Sequence, residues 1–397
     1  MGKRARKAKG RRGATTGADV AGALPELSTL TDVPAFDQLV CTEAQRRAFD
    51  GACGELVAEG VDAGELSLGC VVRLDRGFPA VACADGLARA EFSARLTKGD
   101  DSKVAVGDWV CVRRPAGHDM ALIEKILPRE SDVARWRGGA RGERQTLAAN
   151  VNLTVVVQPV GARGVSVDRI SRSAVIARDC GTGVAVLLTK ADRVDAAELA
   201  DEVARVREVL GDEASIVVTS AVGEMAGGEV PADVREALAG TGVLWDTAGV
   251  RQVVGPGVVA IVLGESGAGK STIINALLGR EVLETQGVRA ADDAGRHTTV
   301  TRRMVALLGG GIIVDLPGLR SLPLVGHERG LAKVFPEIAE AASGCRFRDC
   351  THTHEPGCGV REAYAEGAFS KARLDVYLAL AGEMRAGAAS LDPDVVL

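Results

Sequence analysis

The stretch Gly264-Glu-Ser-Gly-Ala-Gly-Lys270-Ser271 fits the pattern G-x-x-x-x-G-K-[ST]. Its flanks decide how it is read. Val258-Val-Ala-Ile-Val-Leu263 before it is a continuous apolar run of the buried-strand type, and Thr272-Ile-Ile-Asn-Ala-Leu-Leu278 after it begins a helix. Strand, glycine-rich loop and helix in that order make a phosphate-binding loop. Glycine lets the backbone curl so that successive N–H groups face phosphate oxygens, and the helix N-terminus adds partial positive charge. Gly264, Glu265, Ser266, Gly267, Ala268, Gly269, Lys270, Ser271 and Thr272 are thereby assigned to the phosphates of a nucleotide. Lys270 reaches the β- and γ-phosphates and Ser271 holds Mg²⁺. The bland alternative is a glycine-rich turn, which leaves the register of Lys270-Ser271 and both flanks unaccounted for.

Working outward, Thr189-Lys190-Ala191-Asp192 follows the strand-like run Gly183-Val-Ala-Val-Leu-Leu188 and resembles the guanine-recognition motif N-K-x-D. A carboxylate there accepts from guanine N1–H and its exocyclic amine. Adenine lacks that donor pair, so ATP would leave Asp192 unpaired. Thr189 stands where Asn is usual and offers one hydroxyl in place of a carboxamide. Read alone, the tetrapeptide is equally a helix start with an acidic cap. The other motifs support the nucleotide reading. Asp315-Leu-Pro-Gly318 follows Gly311-Ile-Ile-Val314 and resembles D-x-x-G, in which Asp315 holds Mg²⁺ through water and the Gly318 N–H senses the γ-phosphate. Gly295-Arg-His297-Thr298-Thr299 offers hydroxyls for a switch loop over Mg²⁺, and Ser220-Ala221 ends a strand-like run as a base-backing loop. The order is unusual: guanine motif first, phosphate loop second, D-x-x-G last. Joining old termini and opening new ones in a surface loop preserves one sheet, so a circularly permuted GTPase domain is expected.

Beyond the last motif lies Cys345-Arg-Phe-Arg-Asp-Cys350-Thr-His352-Thr-His-Glu-Pro-Gly-Cys358. Thiolates and a neutral imidazole are the ligand set of a closed tetrahedral zinc site. Cys345, Cys350, His352 and Cys358 are the expected ligands, with His354 as a competitor for the imidazole position. A disulfide or free thiols are the alternatives. The chain has nine cysteines, an odd number, and shows no export signal, which argues against a disulfide framework. Cys41, Cys53, Cys70, Cys83, Cys111 and Cys180 are scattered among apolar residues and read as core.

This permuted order, followed by C-x₄-C-x-H-x₅-C, closely resembles the bacterial small ribosomal subunit biogenesis GTPases of the RsgA type, over roughly residues 65 to 385. Gln145-Thr-Leu-Ala-Ala-Asn150 and Lys371-Ala-Arg-Leu-Asp-Val-Tyr-Leu378 belong to the same resemblance. It implies an N-terminal oligonucleotide/oligosaccharide-binding (OB) β-barrel, a circularly permuted α/β P-loop GTPase domain and a C-terminal α-helical zinc-binding domain. The expected divisions are a basic disordered tail at 1–35, a helical lead-in at 36–64, the barrel at 65–130, the GTPase domain at 131–325 and the zinc domain at 326–397. Members bind the small subunit and its rRNA late in assembly, hydrolyse GTP to GDP and leave. One structural Zn²⁺, Mg²⁺ with GTP, a cytoplasmic location, a monomer and no membrane contact follow as expectations. A GTP-dependent RNA-binding switch with negligible hydrolysis is the alternative, and an ATPase is a third class.

The first third of the chain agrees independently. Gly69-Cys-Val-Val-Arg-Leu74, Phe78-Pro-Ala-Val-Ala-Cys83, Val106-Gly-Asp-Trp-Val-Cys-Val112 and Ala121-Leu-Ile-Glu-Lys-Ile126 are short strand-like runs, the pattern of a small barrel. Aromatics are sparse there, and Trp109 alternates within an apolar strand, so it reads as core and not as a base-stacking platform. Phe36, Leu39, Val40, Ala44 and Phe49 recur at near-helical spacing and predict one helix ahead of the barrel. The net charge of −5 conceals an asymmetry, because Lys3, Arg4, Arg6, Lys7, Lys9, Arg11 and Arg12 carry no acid among them. Such a tail neutralises RNA phosphates or merely solubilises. At 397 residues and 46% hydrophobic, the chain suits two or three packed domains, and no apolar run is long enough to span a membrane.

Many GTPases place Gln directly after D-x-x-G to orient the attacking water; here that residue is Leu319. Two readings of His297 stand: its neutral imidazole orients or deprotonates the water, or it contacts the ribosome without doing chemistry.

Overall fold

The computed structural model describes residues 24–75, 78–98, 103–137, 143–161, 163–220, 230–279, 302–316, 324 and 326–389. The chain divides at Thr31/Asp32. Before the division, the described structure is a single 3₁₀ turn, Leu27–Thr29. Of the tail expected at 1–35, the basic residues 3–12 lie outside the described residues, whereas residues 24–35 are described and include the buried Leu30 and Asp32.

After the division a 3₁₀ turn, Phe36–Gln38, leads to helix α1, Glu43–Ala58. Thr42 starts α1 with a capping box: its hydroxyl accepts from Gln45 N at 3.2 Å, and Gln45 Oε1 accepts from Thr42 N at 3.0 Å. That cap shortens the single helix expected from Phe36 onward. It also leaves Val40 63% exposed, outside the apolar face to which its spacing assigned it.

Five strands then close a barrel: β1 Leu66–Asp75, β2 Phe78–Cys83, β3 Gly86–Phe92, β4 Trp109–Arg113 and β5 Ala121–Ile126, with a short helix α2, Ala94–Lys98, after β3. The order β1-β2-β3-β5-β4 returns to β1, and β3 pairs with β5 in parallel. This is the closed Greek-key order of an OB barrel. Gly69 permits the tight closure, since a Cβ there would lie 2.4 Å from Val81 Cγ1. Trp109 is buried, its ring edge-on to Phe36 at 5.7 Å.

A hairpin of β6, Asp132–Arg137, and β7, Glu143–Ala149, joins the barrel to the next domain. Asn150, at the end of the Gln145–Asn150 stretch, has φ 55° and ties three elements together. Its Nδ2 donates to Gly107 O at 2.8 Å, and its Oδ1 accepts from Gln45 Nε2 at 2.9 Å and from Glu130 N at 2.9 Å. The bidentate pair of Arg129 on Asp108, at 2.7 and 2.8 Å, seals the same junction.

The α/β domain follows as β8 Leu153–Pro159, α3 Val167–Asp179, β9 Gly183–Thr189, α4 Ala196–Leu210, β10 Ser215–Val218, α5 Ala232–Ala237, β11 Leu244–Trp245, α6 Asp246–Val253, β12 Val259–Gly264, α7 Lys270–Leu278, β13 Arg302–Ala306 and β14 Ile312–Asp315. Spatially the strands run β11-β10-β9-β8-β12-β14-β13, parallel except for β13. Strands buried on both faces read as the continuous apolar runs seen in the sequence. From β8 the chain winds outward one way, and from β12 the other way. The central neighbours β8 and β12 therefore form a topological switch point, where a crevice opens beyond the strand ends. This is the permuted order expected from the motifs. An unforeseen feature is that β1 of the barrel pairs antiparallel with β13, Arg73 opposite Arg303 and Leu74 opposite Arg302, so one sheet runs through both domains.

The C-terminal part is helical: α8 Glu328–Val334, α9 Pro336–Ser343, α10 Gly359–Ala365 and α11 Lys371–Ala389. Helix α8 lies directly on α3. A Cβ on Gly330 would sit 2.0 Å from Val175 O, so only glycine allows this approach. Asp179 accepts from Gly330 N at 3.1 Å and lies 2.8 Å from His327 Nδ1. Burial raises the Asp179 carboxyl, but His327 and Arg329 outweigh it and hold it below its ordinary value. Among the described residues, no helix is long and apolar enough to cross a membrane.

Candidate functional site

The phosphate loop leaves β12 at Gly264, where a Cβ would lie 2.6 Å from Val157 O of β8. Gly267 and Gly269 have φ of 80° and 96°, which L side chains rarely adopt. Lys270 opens α7, and its Nζ donates to Gly264 O and Glu265 O at 2.6 Å each. The ammonium is thus held over the loop by its own backbone, at the positive end of the helix. Ser271 is half-buried in the first turn of α7 and Thr272 is exposed. Glu265 pairs with Arg169 of α3 at 2.5 Å.

The guanine motif sits against this loop. Lys190 adopts a left-handed φ of 61°, and its Nζ donates to Gly267 O at 2.6 Å. Thr189 Oγ1 donates to Ala268 O at 2.6 Å, and a Cβ on Gly269 would meet the Thr189 side chain at 3.5 Å. The hydroxyl that replaces the usual carboxamide is therefore used to brace the phosphate loop. Ala191 is buried. Asp192 is exposed, and its Oδ1 accepts from the buried Ser220 hydroxyl. Residues 77 and 79 positions apart in the chain thus come together because β9 and β12 flank β8 in the sheet.

Asp315 ends β14, which runs parallel beside β12, so the residue lies at the same end of the sheet as the phosphate loop. Ala221, His297, Thr298, Thr299, Gly318 and Leu319 lie outside the described residues. Two side chains near Asp315 escaped sequence reading. Arg303 is its cross-strand partner, with Nε 3.8 Å from Asp315 Oδ2, and Asp32 accepts from Arg303 Nη1 at 2.8 Å. No motif marks either one.

The second site is the cysteine cluster. Ligand atoms of Cys345, Cys350, His352 and Cys358 all lie within 4.8 Å of one another. Tetrahedral bonds of about 2.3 Å to sulfur and about 2.0–2.1 Å to nitrogen require S···S near ~3.8 Å and S···N near ~3.5 Å. Cys345 Sγ is 3.9 Å from Cys358 Sγ, and His352 Nδ1 is 3.4 Å from Cys345 Sγ and 3.5 Å from Cys358 Sγ. These three spacings, with Cys350 within 4.8 Å of the rest, are compatible with a structural Cys₃His zinc site. It selects His352, at a left-handed φ of 63°, while His354 faces Thr353 in an exposed position. Burial and the neighbouring thiols push the Cys350 thiol up to about 12, which a divalent cation reverses. Burial lowers His352 and favours the neutral imidazole a metal needs. Glu355, also missed, organises the loop: Oε1 accepts from Thr351 N at 3.0 Å and Oε2 from Thr353 N and His354 N at 3.2 Å each. These bonds, led by the Thr351 hydroxyl, hold its carboxyl far below the usual carboxylate range. Tyr377 of α11 lies beside His352, and Arg373 reaches Glu337 at 2.6 Å and Val334 O at 3.1 Å, so the cluster is docked on the long helix.

The profile of the family described as RsgA GTPase matches residues 245–325. Proteins called small ribosomal subunit biogenesis GTPase RsgA resemble much of the chain. That of Leptospira interrogans (strain Fiocruz L1-130) is 36% identical over 331 residues, covering 83% of this chain and 85% of its own. That of Streptomyces coelicolor is 40% identical over 317 residues, covering 79% and 80%. Among solved structures, YjeQ from Thermotoga maritima aligns with a TM-score of 0.57 at 22% identity, over 81% of this chain and 99% of that one. YloQ, a circularly permuted GTPase, aligns at 0.54 and 19%, over 81% and 96%. These two likenesses concern the fold.

Proposed function

Since the chain belongs to the RsgA family of small ribosomal subunit biogenesis GTPases, we propose that it binds the small subunit and its rRNA late in assembly, hydrolyses GTP there and is released as GDP forms. The single observation that carries the nucleotide half is the clamp of Thr189 and Lys190 on the carbonyls of Ala268 and Gly267, which joins a guanine motif to a phosphate loop. Gly264–Gly269 and Lys270 hold the phosphates, Asp192 backed by Ser220 reads guanine, and Ala221 completes that loop. Ser271 and Asp315, with Thr298 or Thr299, are hard oxygen donors suited to Mg²⁺; bound there, the ion neutralises charge developing on the phosphates. Gly318 senses the γ-phosphate, and His297 orients the water in place of the Gln that Leu319 lacks. The cysteine cluster takes one structural Zn²⁺, and the protein works in the cytoplasm.

The pairing of β1 with β13 supports a route by which nucleotide state reaches the RNA-binding elements. Strand β13 directly follows the Gly295–Thr299 switch segment, so a change in that segment pulls on the barrel. The C-terminal helices are packed on α3 and α4. Loss of the γ-phosphate then changes the angle between two rRNA-gripping parts.

GTP turnover should rise severalfold or more when purified small subunits are added. Co-sedimentation with them should be strong with a non-hydrolysable GTP analogue, weak with GDP, and weaker as salt rises. Turnover unmoved by subunits and equal binding in both nucleotide states would remove the switch reading. For base choice, Asp192→Asn is expected to move preference from GTP toward XTP, because an amide then meets the altered donor pattern of xanthine. Competition binding measures it, and unchanged GTP selectivity in a folded variant would place guanine recognition elsewhere.

A further inference from the structure

The loop that carries His352 holds a second histidine two residues on, and a chain of hydrogen bonds separates their roles. Glu355 is its origin. Oε2 of Glu355 accepts from Thr353 N and His354 N at 3.2 Å each, and Oε1 accepts from Thr351 N at 3.0 Å and from the Thr351 hydroxyl at 2.5 Å. The backbone N–H groups on either side of His352 are thus tied to one carboxylate, which fixes the left-handed turn at His352, φ 63°. Cys350 Sγ lies 3.7 Å from Oε2 and donates to it as a thiol, a proton that leaves when a metal binds.

From Thr351 the chain runs on. Thr351 Oγ1 is 2.7 Å from Thr353 Oγ1, and Thr353 Oγ1 is 2.8 Å from His354 Nδ1. Each hydroxyl has one proton to give, and an ionised carboxylate can only accept. Thr351 therefore donates to Glu355, Thr353 donates to Thr351, and His354 donates from Nδ1 to Thr353. His352 needs the opposite state. Its Nδ1 lies 3.4 and 3.5 Å from Cys345 Sγ and Cys358 Sγ, where a metal requires a lone pair and the proton belongs on Nε2.

We propose that Glu355 decides which histidine enters the metal site. Through the two threonines it holds His354 as an Nδ1–H donor outside the ligand set, and through the backbone it presents His352 Nδ1 to the thiolates. Glu355 is thus a positioning residue, and the inference rests on the zinc reading of the cluster. A carboxylate that merely braced the loop would have no influence on where the His354 proton resides.

The test uses the full zinc-loaded chain with isotope-labelled histidine, whose five rings are assigned by single substitutions. Long-range proton–nitrogen correlation at alkaline pH, where an imidazole is neutral, reports which ring nitrogen is protonated. In the wild type the proton should be on Nδ1 of His354 and on Nε2 of His352. Glu355→Gln supplies an amide that can also donate, so the chain loses its fixed direction. His354 should shift toward the Nε2–H form, and zinc affinity, measured against a competing chelator, should fall about 10–100-fold. Thr353→Val keeps the backbone bonds to Glu355 and breaks only the chain. It should move the His354 proton in the same way while lowering zinc affinity by less than about tenfold. A His354 proton on Nε2 in the wild type, or one that Thr353→Val leaves on Nδ1, would overturn the proposal, as would unchanged zinc affinity in a folded Glu355→Gln variant. If elemental analysis finds no zinc in the wild type, the metal reading fails instead, and this proposal with it.

Discussion

Replacing Lys270 with alanine is expected to weaken GTP binding at least about 100-fold, at ~1.5–3 kcal/mol for each charge-assisted hydrogen bond lost and 1.4 kcal/mol per tenfold. In the structure the ammonium already sits over the loop, held by Gly264 O and Glu265 O. Reaching the β- and γ-phosphates exchanges carbonyl acceptors for charged ones, which is where the binding energy arises. Alanine removes those donors and the helix's strongest local charge, yet it is the best helix former and suits the first residue of α7. The fold should therefore survive, with an unchanged far-UV circular dichroism spectrum. Isothermal titration with GTP and GDP measures the loss. Wild-type affinity in the folded variant would refute the phosphate-loop assignment.

Removing the metal site should have an effect as large, on stability. Cys350→Ser is expected to abolish a stoichiometry of about one zinc per chain and to unfold the region around Cys345–Cys358, because structural zinc contributes roughly 10–16 kcal/mol of apparent binding energy in small modules. Chelation of the wild-type protein should reproduce it. The damage should spread into α11 through Tyr377, which packs on both His352 and Phe335. GTP affinity should change by less than about threefold, since the cluster is docked on α11 while the phosphate loop is braced by the end of β9. Elemental analysis and limited proteolysis check the two halves. Zinc retained by the serine variant, or lost from a His352→Ala variant only when His354 is also replaced, would redraw the ligand set.

The chemistry of this chain was legible locally. A phosphate loop is a short contiguous device whose glycines, lysine and helix start must be adjacent, so Gly264–Ser271 announces itself. The cysteine cluster is equally local, and its geometry matched the expected ligands, down to His352 over His354. The buried strands were legible as unbroken apolar runs, and Trp109 as core. Less was visible where identity depends on a distant partner. Strand β3, Gly86–Phe92, alternates weakly because barrel closure, not side-chain burial, defines it. The hairpin of β6 and β7 carries too many polar residues to signal a strand. Thr189 looked like a weakened guanine contact until its hydroxyl was seen on Ala268 O.

By itself, then, the sequence determined which chemistry the chain carries and in what order, because each motif concentrates its groups within a few residues of one loop. The tertiary structure decided how those motifs are connected. Strand pairing joins the barrel to the segment after the switch, and the folded sheet brings Asp32 to Arg303 across 271 positions of chain. Backbone pairing is almost indifferent to side-chain identity, and an ion pair closes through space, so neither leaves a pattern that a linear reading can find.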